Sequence, residues 1–381
     1  MKVALVDPLG YTTPYDHGLA SALTERGHEV HLLTAPFLLD RPPQPDGYVR
    51  EELFVPIASR LLARWPRARI RRLVKGLEYL PSVSTLLRRV RALEPDVVHV
   101  QWLVRPELDV RWLRRIAQER PAVLTAHNAA PRRTRAIRAW REALETVDRV
   151  VVHSQQTRDR LADLGVERGK TALIRHPVFD SPLGQPVLPP KGRTMLFFGL
   201  IRRYKGLDLL VSALPRILEA VPDARLVVAG DPLEPVEPVR ALALRLEIEH
   251  AIEWRLGFLP EHALAPLLAE AAFVVLPYRQ IESSGVLALA LGHTRPAVVS
   301  DLGAVGDAVR AFGAGRAVPA EDVQALAAAC VELLTDEDAL RQAYEGALAA
   351  RSTLTWPNAA EAHERLYEEI TGRVPAGAAS P

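Results

Sequence analysis

The polar turn that contains Glu282 and Ser284 is the part of the chain best suited to bind an anion. It follows an apolar run that ends at Pro277, and a helical pattern begins at Gly285. The first backbone N–H groups of a helix lack partners within the helix, and the helix dipole places partial positive charge beside them. The amides of Ser284, Gly285 and Val286 are therefore predicted to bind a phosphate or a similar group.

A basic loop at 199–206 lies between an apolar run at 194–198 and a helical pattern at 207–220. Its Lys205 is one of five lysines among 48 basic residues, the others being arginine. A lysine offers a compact charge to a phosphate, and Arg202 offers a planar fork. The alternative for Lys205 is a solvated loop charge, since loops lie on the surface.

His127 directly follows the apolar run 122–126, where a strand end would present a catalytic or binding side chain. The alternative for a single histidine at a strand end is a structural hydrogen bond. Glu282 has an alternative as well, because a carboxylate near a helix start is favoured by the dipole without any catalytic role.

Strand and helix patterns that alternate along the chain must position these residues. The first 34 residues read as a strand, a helix that ends at Gly27 and a second strand, which together form a parallel βαβ unit. The same alternation restarts after the proline-rich stretch 177–191. The sequence therefore predicts an α/β protein with two doubly wound Rossmann-like domains that face each other across a cleft.

Composition is that of an ordinary globular chain, with 381 residues and 48% hydrophobic residues. No window of 18 uninterrupted apolar residues occurs, and the start is too short in apolar residues for a signal peptide, so a cytoplasmic location is expected. Cys330 is the single cysteine, which excludes an internal disulfide and predicts a core residue.

Charge is distributed unevenly along the chain. Residues 1–180 carry 30 Lys and Arg against 21 Asp and Glu, whereas residues 181–381 carry 18 against 25. The basic segment from Arg60 to Lys75 contains no acidic residue. It is either an ordinary surface helix or an interfacial helix that contacts an anionic membrane surface. No nucleic-acid motif accompanies the charge, so no nucleic-acid partner is expected.

These segments together resemble the retaining glycosyltransferases of family 4, which have the GT-B fold of two Rossmann-like domains. The similarity extends over nearly the whole chain. The matching motifs are GHEVHLLT (27–34), HN at 127, GLIRRYKGLDLLVSAL (199–214), LVVAGD (226–231) and ESSGVLALAL (282–291), followed by RPAVVSDLGAVGD (295–307).

The resemblance implies transfer of a sugar from a nucleoside diphosphate sugar, UDP- or GDP-linked, to a lipid-linked, phospholipid or glycan acceptor in polysaccharide or glycolipid biosynthesis. Retention at the anomeric carbon, with neither metal nor cofactor, is implied too. Glu282 would bind hydroxyls of the transferring sugar, and His127 would reach that sugar from the opposite domain. The implied catalytic residues are His127, Glu282 and Lys205, and the implied nucleotide-sugar-binding residues are Gly10, Arg202, Lys205, Asp231, Glu282, Ser284, Gly285 and Val286.

Two positions depart from the family pattern. Ala290 stands where a second glutamate commonly binds the ribose, and Leu200 stands where an arginine commonly follows the strand-end glycine. These departures leave two other functions open. One is a nucleotide-sugar-binding partner protein that has lost catalysis, and the other is a sugar-nucleotide epimerase or phosphorylase on the same fold.

The predicted domain organisation follows from the proline-rich stretch and from the resemblance. It consists of an acceptor-side domain at 1–178, a linker at 179–192, a nucleotide-sugar domain at 193–357, a helix at 358–371 that packs back on the first domain, and a flexible tail at 372–381.

Overall fold

The computed structural model of the protein describes residues 1–36, 43–55, 69–131, 136–179 and 192–373. The chain divides into two units, each with its own parallel sheet. The first unit comprises Met1–His153, Thr157–Arg175 and Trp356–Pro381, and the second comprises Ser154–Gln156 and His176–Thr355.

The sheet of the first unit has seven strands in the order β3-β2-β1-β4-β5-β6-β7, all parallel. Its central strands are short apolar runs buried on both faces, as parallel sheets covered by helices require. The strands are β1 (Lys2–Asp7), β2 (Glu29–Thr34), β3 (Val49–Glu52), β4 (Val97–Val100), β5 (Ala122–Thr125), β6 (Arg149–Val152) and β7 (Thr171–Leu173).

Helices connect these strands. They are α1 (Thr13–Glu25), α2 (Arg69–Leu93), α3 (Pro106–Glu119), α4 (Ile137–Thr146) and α5 (Gln155–Asp163). Proline occupies the first turn of α1 and of α3, where its missing N–H costs nothing. The basic segment from Arg60 to Lys75 lies outside the residues whose side chains are described, apart from Val74, so its predicted role stays a prediction.

The sheet of the second unit has six parallel strands in the order β10-β9-β8-β11-β12-β13. The strands are β8 (Thr194–Phe198), β9 (Arg225–Gly230), β10 (Ile252–Leu256), β11 (Phe273–Leu276), β12 (Ala297–Ser300) and β13 (Gly315–Val318). The helices are α6 (Leu207–Ala220), α7 (Glu237–Arg245), α8 (Glu261–Glu270), α9 (Gly285–Gly292), α10 (Gly303–Phe312), α11 (Val323–Thr335) and α12 (Glu337–Thr353). Cys330 is fully buried in this unit's core, which raises the pKa of its thiol.

The last helix, α13 (Trp356–Thr371), belongs to the first unit and packs on α1. Its buried residues Ala360, Leu366 and Tyr367 share one hydrophobic cluster with Leu19 of α1. A Cβ at Gly18 would lie within 3.0 Å of the Trp356 indole, so glycine permits this close approach. None of the helices in the described part of the chain has the length and apolar character that a membrane span requires.

Both sheets have the doubly wound order that the alternating pattern predicts, and the predicted fold class is confirmed. In each sheet one pair of neighbouring strands is followed by connections that leave in opposite directions along the sheet. This switch point lies between β1 and β4 in the first unit and between β8 and β11 in the second.

Two fully buried histidines predict an acid-sensitive first unit. The rings of His99 on β4 and His363 on α13 lie 5.4 Å apart, and burial lowers the pKa of both, that of His363 to about 4. An unfolded histidine titrates near 6.5, so the unfolded chain binds more protons between pH 6.5 and 4. As the pH is lowered below about 6.5, the free energy of unfolding should therefore decrease, by up to about 1.4 kcal/mol per pH unit for each histidine.

Urea denaturation at pH 7.0 and 5.0 measures this slope. His363→Gln should flatten it, whereas His250→Gln, at an exposed position of the second unit, should leave it unchanged. An identical pH slope in the His363 variant and the wild-type protein would contradict the assignment.

Candidate functional site

Two loops meet at the switch point of the second sheet, loop 199–206 after β8 and loop 277–284 after β11. The backbone N–H of Arg279 donates to the carbonyl of Tyr204 at 2.7 Å. The guanidinium of Arg279 binds Asp208 through two hydrogen bonds of 2.8 Å and donates to the carbonyl of Arg203 at 2.9 Å. These bonds fix the short 3₁₀ turn Arg203–Lys205 against the loop after β11.

Gly206 ends this turn in the left-handed region, with φ of 69°. A Cβ at this position would lie against the carbonyl oxygen of Pro277, well inside the 3.0 Å limit that real Cβ atoms respect. Both the backbone conformation and the close approach of the two loops therefore require glycine.

Lys205 is 6% exposed, with its ammonium 5.5 Å from the ring centroid of Tyr278. Burial, together with the smaller effect of the nearby charge of Arg202, lowers its pKa to about 8. In the described part of the chain no carboxylate forms an ion pair with it, although burying a cation without a counter-charge is costly. Such a group is well suited to an anionic ligand.

Helix α9 begins beside Lys205. Ser284 caps this helix, and its hydroxyl accepts a hydrogen bond from the N–H of Leu287 at 3.3 Å. A Cβ at Gly199 would lie 3.1 Å from Nζ of Lys205 and 3.0 Å from Cγ2 of Val286, so the cation and the helix start converge on one spot. The arrangement combines a buried ammonium with amides of a helix N-terminus, and both favour a phosphate.

Three further residues of the predicted site lie on neighbouring loops. The carbonyl of Glu282 accepts from the N–H of Ala304 at 2.7 Å, which fixes the turn before α9. The carbonyl of Asp231, directly after β9, accepts from the N–H of Ile201 at 2.9 Å. Arg202 is partly exposed at the start of the 3₁₀ turn. The structure thus brings the predicted residues of the second unit to one edge of its sheet.

The predicted residues of the first unit lie at the corresponding edge of its own sheet. Gly10, after β1, adopts φ of 62°. His127, after β5, is 5% exposed, and its Nε2 lies 3.2 Å from Oε1 of Gln101. Its ring stacks on Trp102 with centroids 5.0 Å apart and meets the edge of Tyr15 at 5.3 Å. These neighbours hold the imidazole in one orientation.

Sequence reasoning missed a buried acidic pair beside Gly10. The N–H of Thr12 donates to Oδ2 of Asp7 at 3.0 Å, and the hydroxyl of Thr12 lies within hydrogen-bond distance of both Asp7 and Asp16. Burial raises the pKa of both carboxyls, and in Asp16 the charge of Asp7 adds to the rise. These hydrogen bonds hold the loop after β1.

The two positions that depart from the family pattern have different environments. Ala290 is fully buried in an apolar cluster of the second unit, whereas Leu200 is 41% exposed. Ala290 therefore offers no polar group to a ribose. Within the described residues, no group of three His, Cys, Asp or Glu side chains is arranged to hold a metal ion.

Solved structures with the same architecture identify the fold of this protein. Sucrose-phosphate synthase from Thermosynechococcus elongatus superimposes with a TM-score of 0.74 at 19% identity, over 98% of this chain and 100% of that one. Anabaena HepE in complex with UDP and glucose gives a TM-score of 0.70 at 17% identity, over 97% and 100% of the two chains. The fold is therefore that of the GT-B glycosyltransferases.

Sequence comparisons define the family. A model described as Glycosyltransferase Family 4 matches residues 16–180, and one described as Glycosyl transferases group 1 matches residues 192–336. A phosphatidyl-myo-inositol mannosyltransferase of Mycobacterium leprae is 30% identical over 97% of both chains. A GDP-mannose:glycolipid 4-beta-D-mannosyltransferase of Xanthomonas campestris pv. campestris is 30% identical over 66% of this chain and 70% of its own. The chain belongs to the group 1, family 4 glycosyltransferases.

The bonds of Arg279 to Asp208 and to the carbonyl of Arg203, called the Arg279 clamp below, predict a variant that weakens ligand binding more than it weakens folding. Arg279→Met removes the bonds to Asp208 and to the carbonyl of Arg203, so the turn carrying Lys205 loosens. We expect the dissociation constant for GDP or UDP to rise about tenfold. Because the pair is partly exposed, the free energy of unfolding should fall by only about 1 kcal/mol or less.

Calorimetric titration and urea denaturation measure the two effects. Arg316→Met is the matched control, since Arg316 makes a similar two-pronged pair with Glu332 away from the switch point. It should cost similar stability and leave the dissociation constant unchanged. Equal weakening of nucleotide binding by both variants would mean that the Arg279 clamp has no specific role.

Proposed function

We propose that this glycosyltransferase moves a mannosyl group from GDP-mannose to a glycolipid or phosphatidylinositol-type acceptor, with retention at the anomeric carbon and without a metal ion. The sugar and the acceptor class are supported by the names of its relatives, which include mannosyltransferases for phosphatidyl-myo-inositol and for a glycolipid. A hexosyl donor linked to UDP is the second candidate, supported by a structural neighbour that holds UDP and glucose.

The observation that carries the proposal is the buried ammonium of Lys205 beside the start of α9. A diphosphate leaving group gains negative charge as its bond to the sugar breaks. A preorganised cation and helix amides stabilise that charge, which is the service a divalent metal ion performs elsewhere. Arg202 adds a second positive group on the same loop.

In the proposed reaction the bond between the anomeric carbon and the phosphate oxygen breaks, and a bond from the acceptor oxygen to that carbon forms on the same face. The departing phosphate oxygen takes the acceptor's proton, so the step balances without a protein base. Glu282 is assigned to hydroxyls of the transferring sugar, and His127, oriented by Gln101 and Trp102, to a hydrogen bond with that sugar.

The acceptor class also leads us to propose peripheral association with an anionic membrane surface on the cytoplasmic side. The excess of basic residues in positions 1–180 supports this proposal. Co-sedimentation with vesicles of phosphatidylglycerol and phosphatidylcholine should decline as salt rises from 50 to 500 mM, because surface charges are screened. Binding that is insensitive to salt would count against it.

Incubation with a panel of GDP- and UDP-sugars and a bacterial lipid extract tests the reaction. The expected result is release of GDP from GDP-mannose only when the extract is present, with an α-linked mannosyl product by NMR. A β-linked product would overturn retention but would still support mannosyl transfer. The Xanthomonas relative is named as a 4-beta-D-mannosyltransferase, so this outcome is tested explicitly.

Nucleotide binding without any transfer would favour a partner protein that has lost catalysis, which is consistent with the buried, apolar Ala290. A donor sugar altered without acceptor would indicate an epimerase.

A further inference from the structure

Two polar pairs connect β4 and β5 on one face of the first sheet. Nε2 of His99 on β4 lies 2.7 Å from the hydroxyl of Thr125 on β5. Two positions further along each segment, Nε2 of His127 lies 3.2 Å from Oε1 of Gln101. Because side chains alternate between the two faces of a sheet, these pairs, each separated by 26 positions, follow one another on the same face. The pair of Gln101 and His127 is therefore the one at the carboxyl edge.

Ring contacts fix the plane of the His127 imidazole but leave one choice open. The indole of Trp102 lies nearly parallel to it at 5.0 Å, and the ring of His153 lies at the same centroid distance. A half-turn of the imidazole within its plane exchanges nitrogen and carbon positions and keeps the outline of the ring, so stacking discriminates little between the two orientations. A hydrogen bond to one nitrogen does discriminate, and Gln101 provides such a bond.

The atom that Gln101 presents decides where the proton of His127 lies. A carbonyl oxygen accepts hydrogen bonds and cannot donate one, so the Nε2 that faces it carries a hydrogen. A neutral imidazole has a single N–H group, and Nδ1 then carries a lone pair. A carboxylate in place of this amide would stabilise the charged imidazolium, as it does for histidines that transfer protons. The amide orients the ring without that charge.

Gln101 contributes little to the stability of the fold. It is fully buried, and within the described residues its amide nitrogen has no hydrogen-bond partner. Burial of an amide whose donors are unpaired opposes folding, and an apolar side chain of similar size would avoid this cost. A residue that is unfavourable for folding and bonded to a residue of the site is typical of a functional role.

We propose that Gln101 is a positioning residue that holds His127 in its neutral Nε2–H tautomer, so that Nδ1 accepts a hydrogen bond from a hydroxyl of the transferring sugar. The second half of this inference rests on the proposed function, which assigns His127 to that sugar. The tautomer sets the direction of the contact: the sugar must donate to His127. His127 thereby selects a hydroxyl over a group that can only accept, and it takes no proton in the reaction.

NMR of the full-length protein with ¹⁵N-labelled histidines tests the tautomer without any substrate. The ring signals of His127 are identified by their loss in His127→Gln. At neutral pH they should show the Nε2–H tautomer in the wild-type protein and a different or mixed state in Gln101→Met. Thr125→Val is the matched control, because it removes the neighbouring pair with His99 and should leave the His127 tautomer unchanged. A wild-type Nδ1–H tautomer or imidazolium would overturn the inference, as would an unchanged tautomer in Gln101→Met.

Calorimetric titration tests the direction of the sugar contact. The ligands are GDP, GDP-mannose and GDP-mannose analogues in which each sugar hydroxyl in turn is replaced by fluorine, which cannot donate. Gln101→Met should bind GDP-mannose about tenfold more weakly and GDP unchanged, the loss expected for one hydrogen bond. At the hydroxyl that His127 binds, fluorine should weaken binding about tenfold in the wild-type and Thr125→Val proteins and less than about threefold in Gln101→Met.

The outcomes separate this inference from the proposed function. Fluorine effects that are equal in all three proteins at every position would overturn the sugar contact of Nδ1. An Nε2–H tautomer that depends on Gln101, in an enzyme that transfers no sugar, would sustain the positioning role and overturn the proposed function. Mannosyl transfer with unchanged affinity for GDP-mannose in Gln101→Met would sustain the proposed function and overturn the role of Gln101.

Discussion

Replacement of Lys205 by alanine is expected to lower kcat/KM for sugar transfer by about 10²–10³-fold, the usual loss when one preorganised group at a developing negative charge is removed. Lys205 is 6% exposed and, within the described residues, forms no ion pair with a carboxylate, so in the proposed reaction we expect the leaving diphosphate to balance its charge. Stability should not suffer, because the variant removes a buried charge whose desolvation opposes folding.

Lys170→Ala is the matched control, because Lys170 is also partly buried and its pKa is also lowered by burial. It lies in the first unit and donates to the carbonyl of Glu145, so its removal should leave transfer unchanged. Release of GDP with acceptor present measures both variants. A Lys205→Ala enzyme with more than a tenth of wild-type kcat/KM would exclude the proposed role.

The pH dependence of the same rate gives an independent test. With a pKa of about 8 in the free enzyme, Lys205 is charged below that value and neutral above it. The kcat/KM for the donor should therefore be constant toward neutral pH and fall as pH rises through about 8. Lys205→Arg, which stays charged at every accessible pH, should remove this alkaline limb even if its rate is lower.

The second unit shows why part of this site could be recognised from sequence. Short apolar runs that end in glycine or proline located β8, β9 and β11, because a buried parallel strand needs an apolar sequence on both faces. The helical pattern predicted a helix start at Gly285, and α9 begins at that residue with Ser284 as its cap. Edge strands β10 and β13 were not predicted, because the exposed residues of β10 and the glycine and arginine of the short β13 weaken the apolar signal.

The contacts that orient the site residues could not be read from the chain. Arg279 is separated from Asp208 by 71 positions, and Gln101 from His127 by 26, so only the sheet order brings each pair together. In a sequence with 43 arginines, nothing distinguishes Arg279 from an ordinary surface residue. The acidic pair Asp7 and Asp16 likewise gave no signal, because burial rather than residue type makes it unusual.

Gly206→Ala is expected to lower the free energy of unfolding of the second unit by about 3 kcal/mol or more and to abolish nucleotide binding. Two costs add at this position. The left-handed conformation, φ of 69°, costs an L residue about 1–2 kcal/mol. The new Cβ also meets the carbonyl oxygen of Pro277, a backbone atom that cannot rotate away, so the loops after β8 and β11 must separate.

Gly313→Ala is the matched control, because it carries the conformational cost without the steric one. Gly313 ends α10 with nearly the same φ, 65°, but a Cβ there meets no atom within 4 Å. Its substitution should therefore cost only the conformational term of about 1–2 kcal/mol and leave GDP binding intact. Urea denaturation and calorimetric titration compare the two variants directly. If both lose the same stability and both retain binding, the close approach of Gly206 to Pro277 does not hold the Lys205 turn in place. If Gly206→Ala loses more stability than Gly313→Ala and alone loses GDP binding, the contact between the loops after β8 and β11 holds Lys205 in position.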